Sequence, residues 1–303
     1  MALLQKVRGQ CRDGGFDQAI ALVGESVLEA YSDRIYNAFC KEYDNADYMK
    51  NIQWLLRHYH AAKKMTLSAL FFTQAEALIG KHFKNLSFYA CYYSLFNALW
   101  SNLALTPFIP LHEIRRLSHS RIFSDIDNYF VRSGIYCQKL IDLLNDLRLT
   151  REQYSYHLPL GGTQGRGNKN LSPDDLFEKL ESHLSPILQV TELLSFVSHY
   201  AWEKKVGKAL DDYDSHQIEV DELFFSFIAS EDHLGKHYLI DDDDYRRQGY
   251  VLHRIQTPFP VGWFITEKLC EDLECGWERE ETESGYDINN VGRYLSNALA
   301  GAT

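Results

Sequence analysis

The sequence predicts a mainly α protein, with a helical bundle, a helical extension ahead of it and a smaller α+β region behind. Three observations carry that expectation. Apolar residues recur at the three-or-four spacing of a buried helical stripe through most of residues 1–200, as at Leu140, Leu143, Leu144 and Leu147. Residues 86–105 are apolar almost all round, the pattern of a helix enclosed by others. With seven prolines and eighteen glycines in 303 residues, the chain is neither linker-rich nor repetitive.

Taken in order, residues 16–31 place Ile20, Val23, Val27 and Tyr31 on one helical face, and Ser32 is a candidate N-cap for a second helix. Residues 47–64 read as a helix ending in a basic turn. Residues 1–64 therefore form an N-terminal helical extension. A bundle over 65–200 follows, with helices at 65–83 and 86–105, two short pieces within 111–131 and a long helix at 135–157. Ser172-Pro173-Asp174-Asp175 opens the last long helix, with a capping hydroxyl, proline in the first turn and two acids on the helix dipole. Beyond Gly207, residues 217–228, 236–241 and 249–256 are short and rich in β-branched and aromatic side chains, so strands are expected. Helical spacing returns at 262–275 and 287–300. A boundary is placed at 201–210.

The net charge of −11 hides an asymmetry. Residues 1–200 carry 21 Lys+Arg against 20 Asp+Glu, whereas 201–303 carry 10 against 22. Within 51–170 there are 14 basic and 7 acidic side chains, so only the middle of the chain suits a nucleic-acid partner. The acidic region 201–303 reads as a regulatory or partner-binding addition. Six scattered cysteines without CxxC spacing, no signal-peptide pattern and no uninterrupted apolar span point to a reduced, cytoplasmic protein with no membrane association.

One position breaks the apolar stripe of the 135–157 helix. Adding four to Leu147 lands on Arg151, a permanent cation where a hydrophobe is expected. Pro159 turns Leu158 away from helical dihedrals, so the helix is expected to end near His157. The glycine-rich loop that follows carries Arg166 and Lys169, both able to touch phosphates. Tyr154 and Tyr156, read as water-exposed, are candidates for stacking on bases. Nothing here calls for a cofactor or a metal. His112-Glu113 lacks the second histidine of a zinc helix, four consecutive acids at Asp241–Asp244 cannot all reach one ion, and GGTQGRG is not a dinucleotide fingerprint. His58 and His60 flank Tyr59 on what reads as a solvated face.

From about Gln74 to Val197 the chain resembles the HEPN superfamily of helical bundles. The likeness rests on four stretches in order. They are Ala75-Glu76-Ala77-Leu78 with the tyrosine-rich Phe88–Phe96, then Ser118-His119-Ser120-Arg121, then Leu143-x-x-x-Leu147-Arg148 running into Arg151, and last the Ser-Pro-Asp-Asp helix start. Many members are ribonucleases marked by arginine, four to six residues, then histidine, which Arg151 and His157 match. The resemblance implies a HEPN-like, metal-independent endoribonuclease of a bacterial toxin–antitoxin or anti-phage system, with RNA as substrate and paired motifs lining a homodimer cleft. Other members bind nucleotides, RNA or proteins without cleaving, and that alternative stays open.

The residue types fit RNA cleavage. Histidine moves a proton near neutral pH, and arginine holds phosphate oxygens in two-pronged fashion. Six helical steps leave Arg151 and His157 about 120° apart. They converge if the helix stops before His157 or if two copies meet. Glu152, Ser155 and His119 are candidate supporting polar groups. Glu152 follows the arginine where family nucleases often carry Asn or Asp, and its charge opposes a phosphate.

Overall fold

The computed structural model of the chain describes residues 2–11, 15–81, 83–114, 117–157, 172–207, 230–231, 237–238, 246–247, 249–277 and 286–300. These residues are mainly α-helical.

The N-terminal helices are α1 (Leu3–Arg8), α2 (Asp17–Val23) and α3 (Glu25–Glu42). The helix expected over 16–31 is broken at Gly24, which takes φ 91°. Glycine enters that region without steric cost, so it punctuates the chain where a serine cannot. Ser32 lies inside α3 instead of capping it, its hydroxyl donating to the Leu28 carbonyl at 2.7 Å.

Helix α4 (Tyr48–Gly80) joins the two helices expected at 47–64 and 65–83 into one of 33 residues. The Asp47 carboxylate caps it, accepting the Lys50 N–H at 2.8 Å. A boundary at 64–65 therefore falls within continuous helix. His58, expected on a solvated face, is buried, its Nδ1 bonded to the Trp54 carbonyl at 2.7 Å. Burial drives its pKa down to about 3.

Helix α5 (Lys84–Leu105) packs along α4. Two short helices follow, α6 (Leu111–Ile114) and α7 (His119–Ile126), the latter running into a π-helical turn at Asp127–Val131. Helix α8 (Gln138–Glu152) packs on α5 through the Leu140–Leu147 stripe, all of it buried. Helix α9 (Pro173–Lys205) lies against α5 and α3, and its expected serine cap is present, Ser172 accepting the Asp175 N–H at 3.0 Å.

Because α5 is enclosed, its polar atoms need partners inside the bundle. Ser101 and Thr191 share a hydroxyl bond of 2.7 Å, and Asn102 donates to the Ile187 carbonyl at 3.1 Å, one residue past Pro186. Tyr136 donates its hydroxyl to Asn102. Arg57 of α4 closes the end of α5. It donates to the carbonyls of Ala104, Thr106 and Ile109 at 2.7, 2.7 and 3.0 Å, with its guanidinium 4.2 Å from the Trp54 ring centroid. Burial lowers its pKa to about 9, which leaves it charged at neutral pH.

The C-terminal part differs from expectation. Residues 249–256 are not a strand, because Val251–Ile255 is a π-helical turn with Val251 and Leu252 buried. The β-branched and aromatic composition there reflects burial. Extended pairing among the described residues is confined to β1 (Ser230–Glu231) antiparallel to β2 (His237–Tyr238), within the strand expected at 236–241. The strand expected at 217–228 and the acids at Asp241–Asp244 lie outside the described residues. Then come α10 (Val261–Phe264), a π turn at Ile265–Leu269, α11 (Cys270–Trp277) and α12 (Asn289–Ala300). Helices α10 and α12 pack on α4 and α9, and a single apolar cluster extends from Leu4 to Ala298.

Helix α10 follows Pro260, which supplies no side-chain cap. Helix α9 supplies one. Ser195 Oγ accepts the Val261 N–H at 3.0 Å and Glu192 Oε2 accepts the Gly262 N–H at 2.5 Å. A Cβ at residue 262 would lie 2.8 Å from the Glu192 carboxyl carbon, so only glycine allows that approach. Burial pushes the Glu192 pKa up to about 7 despite these bonds. All six cysteines are free, and Cys137 is exposed at the start of α8. No helix among the described residues is long and apolar enough to cross a membrane.

Two predictions follow from the buried charges. Arg57→Met keeps the stem but leaves three carbonyls unanswered, and should lower unfolding free energy in urea by about 3 kcal/mol. Glu192 holds its proton to about pH 7 when folded, whereas the unfolded carboxyl releases it near 4.5. Stability should therefore fall as pH rises through that window. Glu192→Gln should flatten the melting-temperature profile between these values and match or exceed the parent at pH above 7.

Candidate functional site

Arg151 occupies the stripe position after Leu147, and its side chain is only 13% exposed. What accepts it is the tyrosine pair on α5. The guanidinium carbon lies 4.8 Å from the Tyr92 ring centroid and 5.8 Å from that of Tyr93, and Nη1 donates to the Tyr93 hydroxyl at 3.1 Å. Aromatic faces attract a cation while the stem packs as a hydrocarbon, so an arginine is tolerated on this face.

One carboxylate lies between two arginines. Glu152 Oε1 is 3.5 Å from Arg151 Nη2 and 3.5 Å from Arg148 Nη1. These are ion pairs too long to be good hydrogen bonds. The Nε atoms of Arg148 and Arg151 are both buried without a hydrogen-bond partner among the described residues. Arg148 also lies over the Phe123 ring at 5.7 Å.

His119, from a separate stretch of sequence, belongs to this cluster. It opens α7, just after the Ser118 cap, and its Nδ1 bonds the Tyr92 hydroxyl. Its ring stacks on Phe96 and Tyr92 at 4.5 and 5.8 Å between centroids. Partial burial first, then the Arg151 and Arg148 charges, hold its pKa below the ordinary histidine value. It is thus neutral at pH 7, the form suited to accepting a proton or donating a neutral hydrogen bond.

The remaining expected residues divide. Ser155 is structural, donating to the Arg151 carbonyl at 2.6 Å and bonding the Tyr89 hydroxyl. Tyr154 is half-buried, and its ring stacks on Phe88 at 5.2 Å with 17° between planes, so one face is already taken. Tyr156 is free to stack, at 75% exposed. Helical backbone continues as a π turn through Gln153–His157, so the helix does not stop ahead of His157. The His157 side chain lies outside the described residues, as do Arg166 and Lys169.

Sequence reasoning missed Arg148, Tyr92 and Tyr93 as members of the site. The tyrosine doublet was visible, but its partner stands 58 residues away along the chain. Arg148 carried a signal in its spacing, three before Arg151 and four before Glu152, which sets all three on one side of a helix. The basic excess over 51–170 is partly internal. Arg57 is buried, and Lys64 sits 3.9 Å over the Trp100 ring with its pKa lowered to about 8, by burial and then by Lys63.

Comparison with protein-family models gives no match, and neither does comparison with curated proteins or with solved structures.

The electrostatic coupling across the cluster is measurable. Arg151→Gln should raise the His119 pKa toward its ordinary value in an NMR titration of the imidazole protons. Lys204→Gln, on α9, should leave it where it is.

Proposed function

We propose that this protein is a HEPN-like endoribonuclease of a toxin–antitoxin or anti-phage system, cleaving RNA by attack of the 2′-hydroxyl on the adjacent phosphate. The observation that carries the reading is Arg151, held between Tyr92 and Tyr93 with a buried Nε that bonds to nothing among the described residues. A half-buried guanidinium with unused donor capacity is suited to a developing phosphorane charge. In this reading Arg151 stabilises the phosphate and His157 moves the proton. His119 supplies a second neutral imidazole beside the same arginine. Tyr156 offers an open ring to a base.

Helical backbone through His157 favours the two-copy arrangement, in which one protomer's Arg151 works with the other's His157. The acidic region 201–303 is proposed to bind an antitoxin or defence-system protein partner. The second reading is a module that binds RNA, a nucleotide or a protein without cleaving. Glu152 between the two arginines favours it, since that carboxylate opposes the charge a cleaving site must gather.

Incubation with mixed RNAs in chelator separates the two. Cleavage should fall about 10²–10³-fold in Arg151→Ala and about 10²–10⁴-fold in His157→Ala. Activity surviving both substitutions overturns the site assignment, whereas RNA bound without cleavage supports the binding module.

A further inference from the structure

We propose that Arg148 and Arg151 form a two-arginine phosphate clamp in which Glu152 is a built-in competing anion, displaced when a phosphate enters. The proposal rests on the RNA reading for the source of the phosphate, though not on catalysis.

The geometry is that of an incompletely answered pair of cations. Arg148, Arg151 and Glu152 stand at positions i, i+3 and i+4 of α8, so their side chains share one side of the helix. A single oxygen, Glu152 Oε1, serves both guanidinium groups at 3.5 Å, beyond good hydrogen-bond length. Among the described residues, one carboxylate against two guanidiniums leaves one positive charge without an ion-pair partner of its own. Neither Nε has a hydrogen-bond partner among the described residues. A buried donor left unmade costs free energy that a ligand's oxygen recovers on binding.

A phosphate group meets these needs better than the carboxylate does. Its oxygens accept two-pronged bonds from separate arginines, which one shared carboxylate oxygen does not. The site is stiffened from behind, because Tyr92 and Tyr93 hold Arg151 and Phe123 lies under Arg148. His119 adds a third group. With Nδ1 engaged by Tyr92, its Nε2 makes no hydrogen bond among the described residues and remains available to the ligand. Glu152 is 35% exposed, so it can swing into water when displaced. The residue that opposes a phosphate in the sequence thereby becomes the residue that sets the affinity.

The test measures binding of a short single-stranded 2′-O-methyl RNA, which cannot be cleaved, to the full-length chain by fluorescence anisotropy. Inorganic phosphate serves as competitor, and melting temperatures verify folding. Glu152→Gln preserves shape and removes the charge. It should bind about fivefold tighter at low salt, with the gain shrinking as salt rises. Arg148→Gln and Arg151→Gln should each bind about tenfold weaker, with a shallower dependence on salt. Equal or weaker binding by Glu152→Gln, with RNA still lost in Arg151→Gln, overturns the competing anion and leaves the RNA site standing. Unchanged binding in both arginine variants overturns the clamp. Phosphate bound more tightly by Glu152→Gln with no RNA bound supports the clamp and overturns the RNA reading. Failure of both parent and Glu152→Gln to bind either overturns both.

Discussion

Everything in this bundle is arranged around a helix that is apolar almost all round. Helix α5 has almost no face to give to water, so α4, α8 and α9 must enclose it, and enclosure draws the polar atoms of Ser101 and Asn102 into bonds with its neighbours. Ser101 and Asn102 meet α9 through Thr191 and the Ile187 carbonyl, and Arg57 answers the carbonyls at its C-terminal end. These bonds fix how far each neighbour slides along α5, which apolar contacts alone leave loosely set. The candidate site inherits that precision. Tyr92 and Tyr93 are α5 residues, and the arginine they receive comes from α8.

Much of the helical plan was legible because it depends on periodicity. The Leu140–Leu147 stripe, the enclosed helix at 86–105 and the Ser172 cap each express one local rule. The misreadings lay where two rules gave the same local pattern. Val251–Ile255 has strand-like composition, yet its side chains were selected by the core they enter. A short apolar run does not distinguish a strand from a buried helical turn. His58 looked solvated because its neighbours are basic, but Arg57 beside it is spent on internal carbonyls and His58 on Trp54.

The site was legible in one half. Arg151 was conspicuous as a charge out of phase with its stripe, and that anomaly pointed to an unusual environment. The partners that resolve it lie on α5 and α7, and no local pattern announces contacts made by folding. His119 shows the difference. In the sequence it is a histidine after a serine, and only the packing of α7 against α5 puts it beside an arginine 32 residues later. A charge in the wrong phase marks where a partner is required, and the fold names the partner.

Continuity of α4 has a mechanical consequence. At 33 residues it is a rod about 50 Å long. Trp54 near its start packs with Phe39 and Tyr43 of the N-terminal part, and Phe72 near its end packs with Phe177 of α9 and Tyr294 of α12. A helix resists bending far more than a loop does, so the two ends are held at fixed separation. The first 64 residues thus act as one end of a strut, and a force applied there is transmitted to the packing around α9 and α12 without a hinge to absorb it.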